Sequence, residues 1–314
     1  MTESHPIRVL LGPQRPERNL TQAVDNMGLP DGPLVVISAG WQEAEGYIDD
    51  VGELIDRPLD DLRLYRRAEE LEQADSDLGS ATRQRQERLI AQQRVYRKRL
   101  KQLSIAFRQM LTAEGDASML AAEKRHALAQ LKALDRHHLN RTESIWQEFL
   151  ETYRPESHVG IGRHTADIAD QIERAAGVVI TGGNVAVLLN RLRLFGLEDA
   201  LSKKPIVAWS AGAMVLTERI VLFHERSPEG RRDAEVFGAG CGIVTGYVLF
   251  PDTARRLRTR DRNRIGATAR RFEPDLCVAL DNGAELHVDD DDIQFADEAR
   301  SLNRDGRILS LRAA

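Results

Sequence analysis

Over the first 75 positions, short apolar runs alternate with amphipathic stretches. Residues 7–12 (IRVLLG) and 34–40 (LVVISAG) are β-rich runs that end in glycine, and a helical stretch follows each. In the second stretch, WQEAEGYIDDVGELID, Trp41, Ile48, Val51 and Leu54 recur at helical spacing and predict one helix face. Strands alternating with helices, with glycine at the strand ends, predict a mostly parallel sheet covered on both sides. The pattern changes over residues 81–150. Leu89, Gln93, Tyr96, Leu100, Leu103, Phe107 and Met110 step alternately by four and three, a heptad seam with one polar member. Gly115 breaks it, and Asp116 or Ser118 is placed to cap a second helix, which carries Leu128, Leu131, Ile145 and Phe149 on one side until Pro155 stops it. Two long helices joined by a short loop predict an antiparallel, coiled-coil-like hairpin.

The α/β pattern then resumes. HTADIADQIERAA is an amphipathic helix, and GVVITGGN (177–184) is a buried strand ending in a glycine turn. VAVLLNRLRLFGLEDALSK is helical, and PIVAWSAGAMVL (205–216) is strand, sharp turn, helix. VLFHERS and GIVTGYVLF read as strands, and CVALDNGAELHV (277–288) as a hairpin turned by Asp281-Asn282-Gly283. The predicted architecture is a three-layer α/β sandwich with a mostly parallel sheet, built from residues 1–78 and 154–314. A long antiparallel helical hairpin, residues 79–153, interrupts it.

Composition adds boundaries. With 314 residues the chain has room for one large or two small domains, and 42% apolar with 30% charged residues fits a globular protein. Cys241 and Cys277 are the only cysteines, too few for a disulfide framework, and they lack the spacing of a zinc site. The N-terminus has no secretory-signal pattern, and no apolar run approaches the ~18–20 residues of a membrane span. These features predict a cytoplasmic chain without membrane attachment. The net charge of −5 hides a strong asymmetry. Residues 81–110 carry nine Lys/Arg and one acid, residues 251–271 eight Arg and two Asp, and residues 281–299 eight acids and no Lys or Arg. The overall balance argues against a nucleic-acid binder. The basic hairpin, 81–150, is expected instead to support a homo-oligomer or a protein partner.

The chemistry concentrates at two glycine-rich turns. In Ala208-Trp209-Ser210-Ala211-Gly212, a β-run delivers Ser210 into a tight turn and a helix starts at once. Small neighbours let the backbone fold sharply, which is the geometry of a nucleophile elbow with an exposed Oγ. The bland alternative is a structural serine in a strand–helix turn. At Thr181-Gly182-Gly183-Asn184, glycines let backbone N–H groups approach a ligand; the alternative is a tight turn with Asn184 as a helix cap.

Together the ITGGN-x-x-x-LL and W-S-A-G-A segments resemble the peptidase S51 family of aspartyl dipeptidases and cyanophycinases. The resemblance is loose over residues 5–75 and good over residues 160–290, and the hairpin lies outside it. It implies a class I glutamine amidotransferase-like fold, Ser210 as nucleophile, and an oxyanion hole from the N–H groups of Gly183 and Ala211. Gly182 and Asn184 would line the site. No cofactor is implied. The family uses a serine, a histidine and an acid, with the histidine in an Asp-x-His-Phe-like segment. Here Tyr247 to Arg256 (YVLFPDTARR) contains no histidine, and Asp252 falls at the expected position. A carboxylate of pKa ~4 is a poor base for a serine hydroxyl at neutral pH. Glu225 matches the family acid, with Glu229 just outside the window. His224 beside it is the one histidine placed to substitute, although strand alternation turns His224 and Glu225 to opposite faces.

The family acts on acidic peptides and isopeptides, so Arg256 and Arg258 are candidates for an acidic ligand, while the rest of that arginine run reads as solvated or ion-paired surface. Asp289 to Asp292 lack the spacing of a calcium loop, and no metal site is expected. Three functions follow. The first is a degenerate or atypical S51-like protein that binds a small acidic ligand or partner. The second is an active serine hydrolase cleaving small acidic peptides or isopeptides, and the third is a scaffold acting through the basic hairpin.

Overall fold

The structure is a computed structural model that describes residues 6–223, 233–289 and 292–311. Strands β1 (Arg8–Leu11), β2 (Leu34–Ile37), β3 (Leu59–Asp61), β4 (Gly177–Ile180) and β5 (Ile206–Trp209) are short. All but β3 are buried on both faces, as their unbroken apolar composition requires of parallel strands. They lie side by side in the order β1–β5–β4–β2–β3, each pair parallel. Next come β6 (Arg219–Leu222) and β7 (Glu235–Ala239), a separate antiparallel ribbon, and then β8 (Tyr247–Pro251), β9 (Leu276–Leu280), β10 (Glu285–Asp289) and β11 (Asp292–Asp297). β10 and β11 extend the main sheet antiparallel from β1, giving it seven strands with β11 and β3 at its ends. β8 and β9 pair in parallel, and β12 (Arg300–Leu302) and β13 (Ile308–Ser310) complete this second, four-stranded sheet.

Side chains alternate across the main sheet. Val9, Leu11, Val36, Val179 and Val207 enter one apolar cluster, covered by α1 (Leu20–Asn26) and the single-turn α2 (Asp49–Gly52). Leu10, Val35, Ile37, Ile180 and Ala208 enter the other. There α3 (Leu64–Ala74), α6 (Val159–Arg174), α7 (Val185–Leu194), α8 (Glu198–Ser202) and α9 (Ala211–Leu216) supply Leu64, Ile168, Leu188, Leu201 and Val215. The three-layer α/β arrangement with a mostly parallel sheet is therefore present.

Helices α4 (Ser76–Thr112) and α5 (Ala117–Tyr153) form the antiparallel hairpin, with Arg88 facing Glu148 and Tyr96 facing Asp135. Asp75 caps the first helix and Asp116 the second, each accepting backbone N–H bonds. The α4 seam does not face solvent. Tyr96, Leu100 and Phe107 are buried against α5, β7 and α11 (Arg262–Phe272), which follows the single-turn α10 (Thr253–Arg256).

Two local expectations fail. Residues 41–54 are not one helix: Ala39–Ala44 form a 3-10 turn in which Gln42 sits at φ 58°, ψ −122°, and only α2 follows. Trp41, Ile48, Val51 and Leu54 nonetheless share one apolar cluster, so the spacing marked the buried side and not the element. Residues 277–288 are not a hairpin ladder, because β9 and β10 belong to different sheets. The turn is held by β1 instead. Gly12 N–H donates to the Ala284 carbonyl at 2.9 Å, and the Asn282 amide donates to the carbonyls of Pro13 and Glu17. That grip hands β10 to β1 while β9 stays with β8.

Candidate functional site

A cleft of about 690 Å³ opens at the carboxyl ends of β1, β4 and β5, where open α/β sheets usually bind ligands. Ser210 stands on its wall, one residue past β5 and one before α9. Its backbone has φ 50°, ψ −114°, a combination that costs an L-residue about 1–3 kcal/mol. The neighbours hold it there. Ser210 N–H donates to the Leu11 carbonyl at 3.1 Å, and the Ser210 carbonyl accepts from Met214 N–H at 3.1 Å. Gly212 lets α9 start directly against β4, since a Cβ there would collide with the carbonyls of Ile180 and Thr181.

The second turn packs beside the first. Gly182 lies against Ser210 and Trp209, and Gly183 takes φ 112° where a Cβ would collide with the Gly40 carbonyl. Asn184 N–H donates to that same carbonyl at 2.7 Å. Asn184 Oδ1 accepts from Ala186 and Val187 N–H, so its side chain caps α7. Among the described residues, neither Gly183 N–H nor Ala211 N–H has an acceptor, and both residues line the cleft. Backbone donors left open beside a cleft-lining serine can receive a carbonyl or carboxylate oxygen of a ligand.

Asp252 ends β8 in the left-handed region, at φ 60°, ψ 40°, and lines the same cleft. Its carboxylate lies 3.5 Å from Arg256 Nε and 3.9 Å from Arg255 Nη1. Arg256 also lines the cleft, its guanidinium 6.0 Å from the Phe223 ring centre. Arg258 is half-buried and does not line it. The structure thus brings together Ser210, Gly182, Gly183, Asn184, Ala211, Asp252 and Arg256. His224, Glu225 and Glu229 lie outside the described residues.

Among the described residues no histidine lines the cleft. His138 is fully buried in the hairpin, His164 meets Arg67, His158 stacks on Tyr153, and His287 bonds Glu285 at 2.5 Å. His126 and His137 are exposed on α5.

Sequence reasoning missed the wall supplied by the loop after β1. Gln14, Arg15 and Arg18 line the cleft, as do Trp41 and Asp50; Arg15 and Asp50 form an exposed ion pair at 2.7 Å. The available signal was positional: two arginines in PQRPER follow the end of a predicted parallel strand, where loops face the ligand crevice. The arginine run also contains more than surface charge. Arg271 is buried and donates to Asp135 on α5 at 2.6 Å, and Arg264 is buried near Asp233.

Residues 147–296 match the model of peptidase family S51. Ser210, Gly183, Ala211 and Asp252 fall inside the matched region; Arg15, Arg18 and most of the hairpin fall outside it. A solved structure similar to this chain is the crystal structure of a peptidase from an acI-B1 Actinobacterium, at 14% identity and a TM-score of 0.46, covering 99% of this chain and 96% of that one. No curated protein matches the chain. No helix among the described residues is long and apolar enough to cross a membrane.

Proposed function

We propose that this S51-like chain uses the Ser210 cleft to bind a small acidic ligand, such as an Asp-containing dipeptide, without the hydrolytic triad of that family. The observation that carries the reading is Asp252 on the cleft wall, at the end of β8, where the resemblance expects the general base. A carboxylate beside Arg256 orients that arginine rather than deprotonating a serine. Arg15, Arg18 and Arg256 on the lining exceed the acids Asp50 and Asp252 by one charge. They can pair with ligand carboxylates, while the open N–H groups of Gly183 and Ala211 donate to a ligand oxygen.

The test combines calorimetry with a serine-directed covalent probe. Acidic dipeptides bind the wild-type protein, Arg256→Ala weakens them by about tenfold, and no Ser210-dependent labelling or cleavage occurs. Turnover of Asp-X or β-aspartyl-arginine peptides that disappears in Ser210→Ala overturns the reading.

One observation favours a second reading, an active serine hydrolase. Ser210 keeps the strained backbone and open N–H groups of a nucleophile elbow, an arrangement that costs stability and serves acyl transfer. On this reading His224, which follows the cleft-lining Phe223 in sequence, is the base, and probe labelling is lost in both Ser210→Ala and His224→Ala.

A further inference from the structure

The heptad seam of α4 is consumed inside the chain, so any contact the hairpin makes with another molecule falls to its outer face. That face is chemically uniform. Arg83, Arg94, Lys98, Arg99 and Lys101 are exposed, and among the described residues none of the five has an ion-pair partner. At 3.6 residues per turn, Arg83, Arg94, Lys98 and Lys101 fall within about 60° of the helix circumference, along about 27 Å of its length. Glu87 is the one acid on this stretch. Ile90 and Val95 are 50% and 54% exposed between the cations.

The opposite charge lies elsewhere on the same chain. β11 ends the main sheet, so one side of its backbone has no strand partner. Asp292, Asp297 and Glu298 are exposed along it, and Phe295 is 42% exposed. No Lys or Arg occurs between residues 272 and 299. A six-residue strand is about 20 Å long, close to the length of the basic stripe. Each surface therefore offers charge of one sign and an exposed apolar side chain, and each lacks what the other has.

We infer that two copies of this chain associate with the basic outer face of α4 in one docked on the acidic edge strand β11 of the other. A twofold pair makes the contact twice and closes the assembly. A helix face about 27 Å by 10 Å covers roughly 300 Å², well below the ~800 Å² per partner of a standard interface. Two such contacts give a weak, salt-sensitive dimer. The absence of exposed aromatics on the stripe sets it apart from single-stranded nucleic-acid platforms, because Tyr96 and Phe107 are both buried.

Sedimentation velocity of the full chain tests this at about 20 mM and about 500 mM salt, where screening lengths differ several-fold. The expected result is a dimer at low salt that dissociates at high salt. Lys98→Glu with Lys101→Glu, and separately Asp292→Lys with Asp297→Lys, each shift the protein to monomer. Mixing the two variants restores dimers, because the acidic helix of one meets the basic edge of the other. Charge-neutral Lys98→Gln with Lys101→Gln serves if a reversal variant fails to fold, and it weakens association at least tenfold. A monomer in low salt at all concentrations overturns the inference, including one that instead binds nucleic acid. So does a dimer unaffected by the reversals, or a mixture that stays monomeric. The labelling and peptide-binding outcomes at Ser210 are independent of this result.

Discussion

At the Ser210 cleft, small residues bring backbone against backbone, Gly212 on Ile180 and Thr181 and Gly183 on Gly40, while Gly182 leaves room for the Ser210 and Trp209 side chains. The polar groups left facing the cavity are N–H donors and a hydroxyl awaiting a partner. At the junction between the hairpin and the body, large polar side chains fill the space and most of them satisfy one another. Arg271 donates to Asp135, to the Ala234 carbonyl and to Tyr96 Oη, while Tyr96 Oη donates to Asp135 and accepts from Val236 N–H. Gln93, the polar member of the seam, bridges His138, Glu235 and the Val236 carbonyl. Arg108 and Asp233 form a further pair. One region keeps donors open and bears strain, as a binding site needs; the other closes most of its donors and locks a helix pair onto a sheet.

The largest effect that tests this contrast is at Arg271. Arg271→Ala leaves Asp135 buried beside Tyr96 without its cation and is expected to cost about 3–5 kcal/mol in denaturant unfolding. Arg271→Met combined with Asp135→Leu recovers most of that loss. If the double variant is as unstable as the single, the junction is held by packing and not by the ion pair. Next is Gly212→Ala, whose methyl collides with two β4-end carbonyls and costs about 3 kcal/mol by the same measurement. An effect below about 1 kcal/mol would show the β5–α9 turn to be less tightly packed than direct contact of Gly212 with the Ile180 and Thr181 carbonyls requires.

A third effect depends on pH. Burial pushes the His138 imidazole, stacked on Tyr96 at 4.0 Å between ring centres, down from 6.5 to about 4. The folded value lies below the unfolded one, so unfolding takes up a proton in this window. The stability contribution is complete above about pH 6.5 and falls as pH drops toward about 4, by on the order of 2 kcal/mol at pH 4.5. His138→Gln, which keeps a donor for Gln93, loses correspondingly less between pH 7 and 4.5 in paired unfolding curves. The smallest effect belongs to the cleft. Ser210→Gly removes the backbone strain and is expected to raise stability by about 1 kcal/mol; an unchanged or lower value would mean that the turn is not strained.

The catalytic-looking turns were legible in the sequence because they are local. Ala208 to Gly212 and Thr181 to Asn184 each specify their geometry within a few residues, and Asn184 caps its own helix. The cleft's other wall was not legible, because nothing near Arg15 or Arg18 in the chain refers to Ser210. The arginine run shows the same limit. Arg256 and Arg271 look alike in sequence, yet one lines an open cleft and the other is buried on Asp135, 136 residues away.

Taken by itself, the amino-acid sequence determined the strand–turn–helix punctuation, the two-helix interruption and the absence of a histidine at the expected base position. Periodicity, caps and glycine turns act over one or two helical turns, and a single chain displays them directly. Tertiary structure alone decided that β9 and β10 part into different sheets, that the seam of α4 closes on its own chain, and which arginines are buried. Those outcomes depend on which distant groups can satisfy a buried donor or cover an apolar face. That competition is settled only when the sheet, the hairpin and the loops occupy the same space.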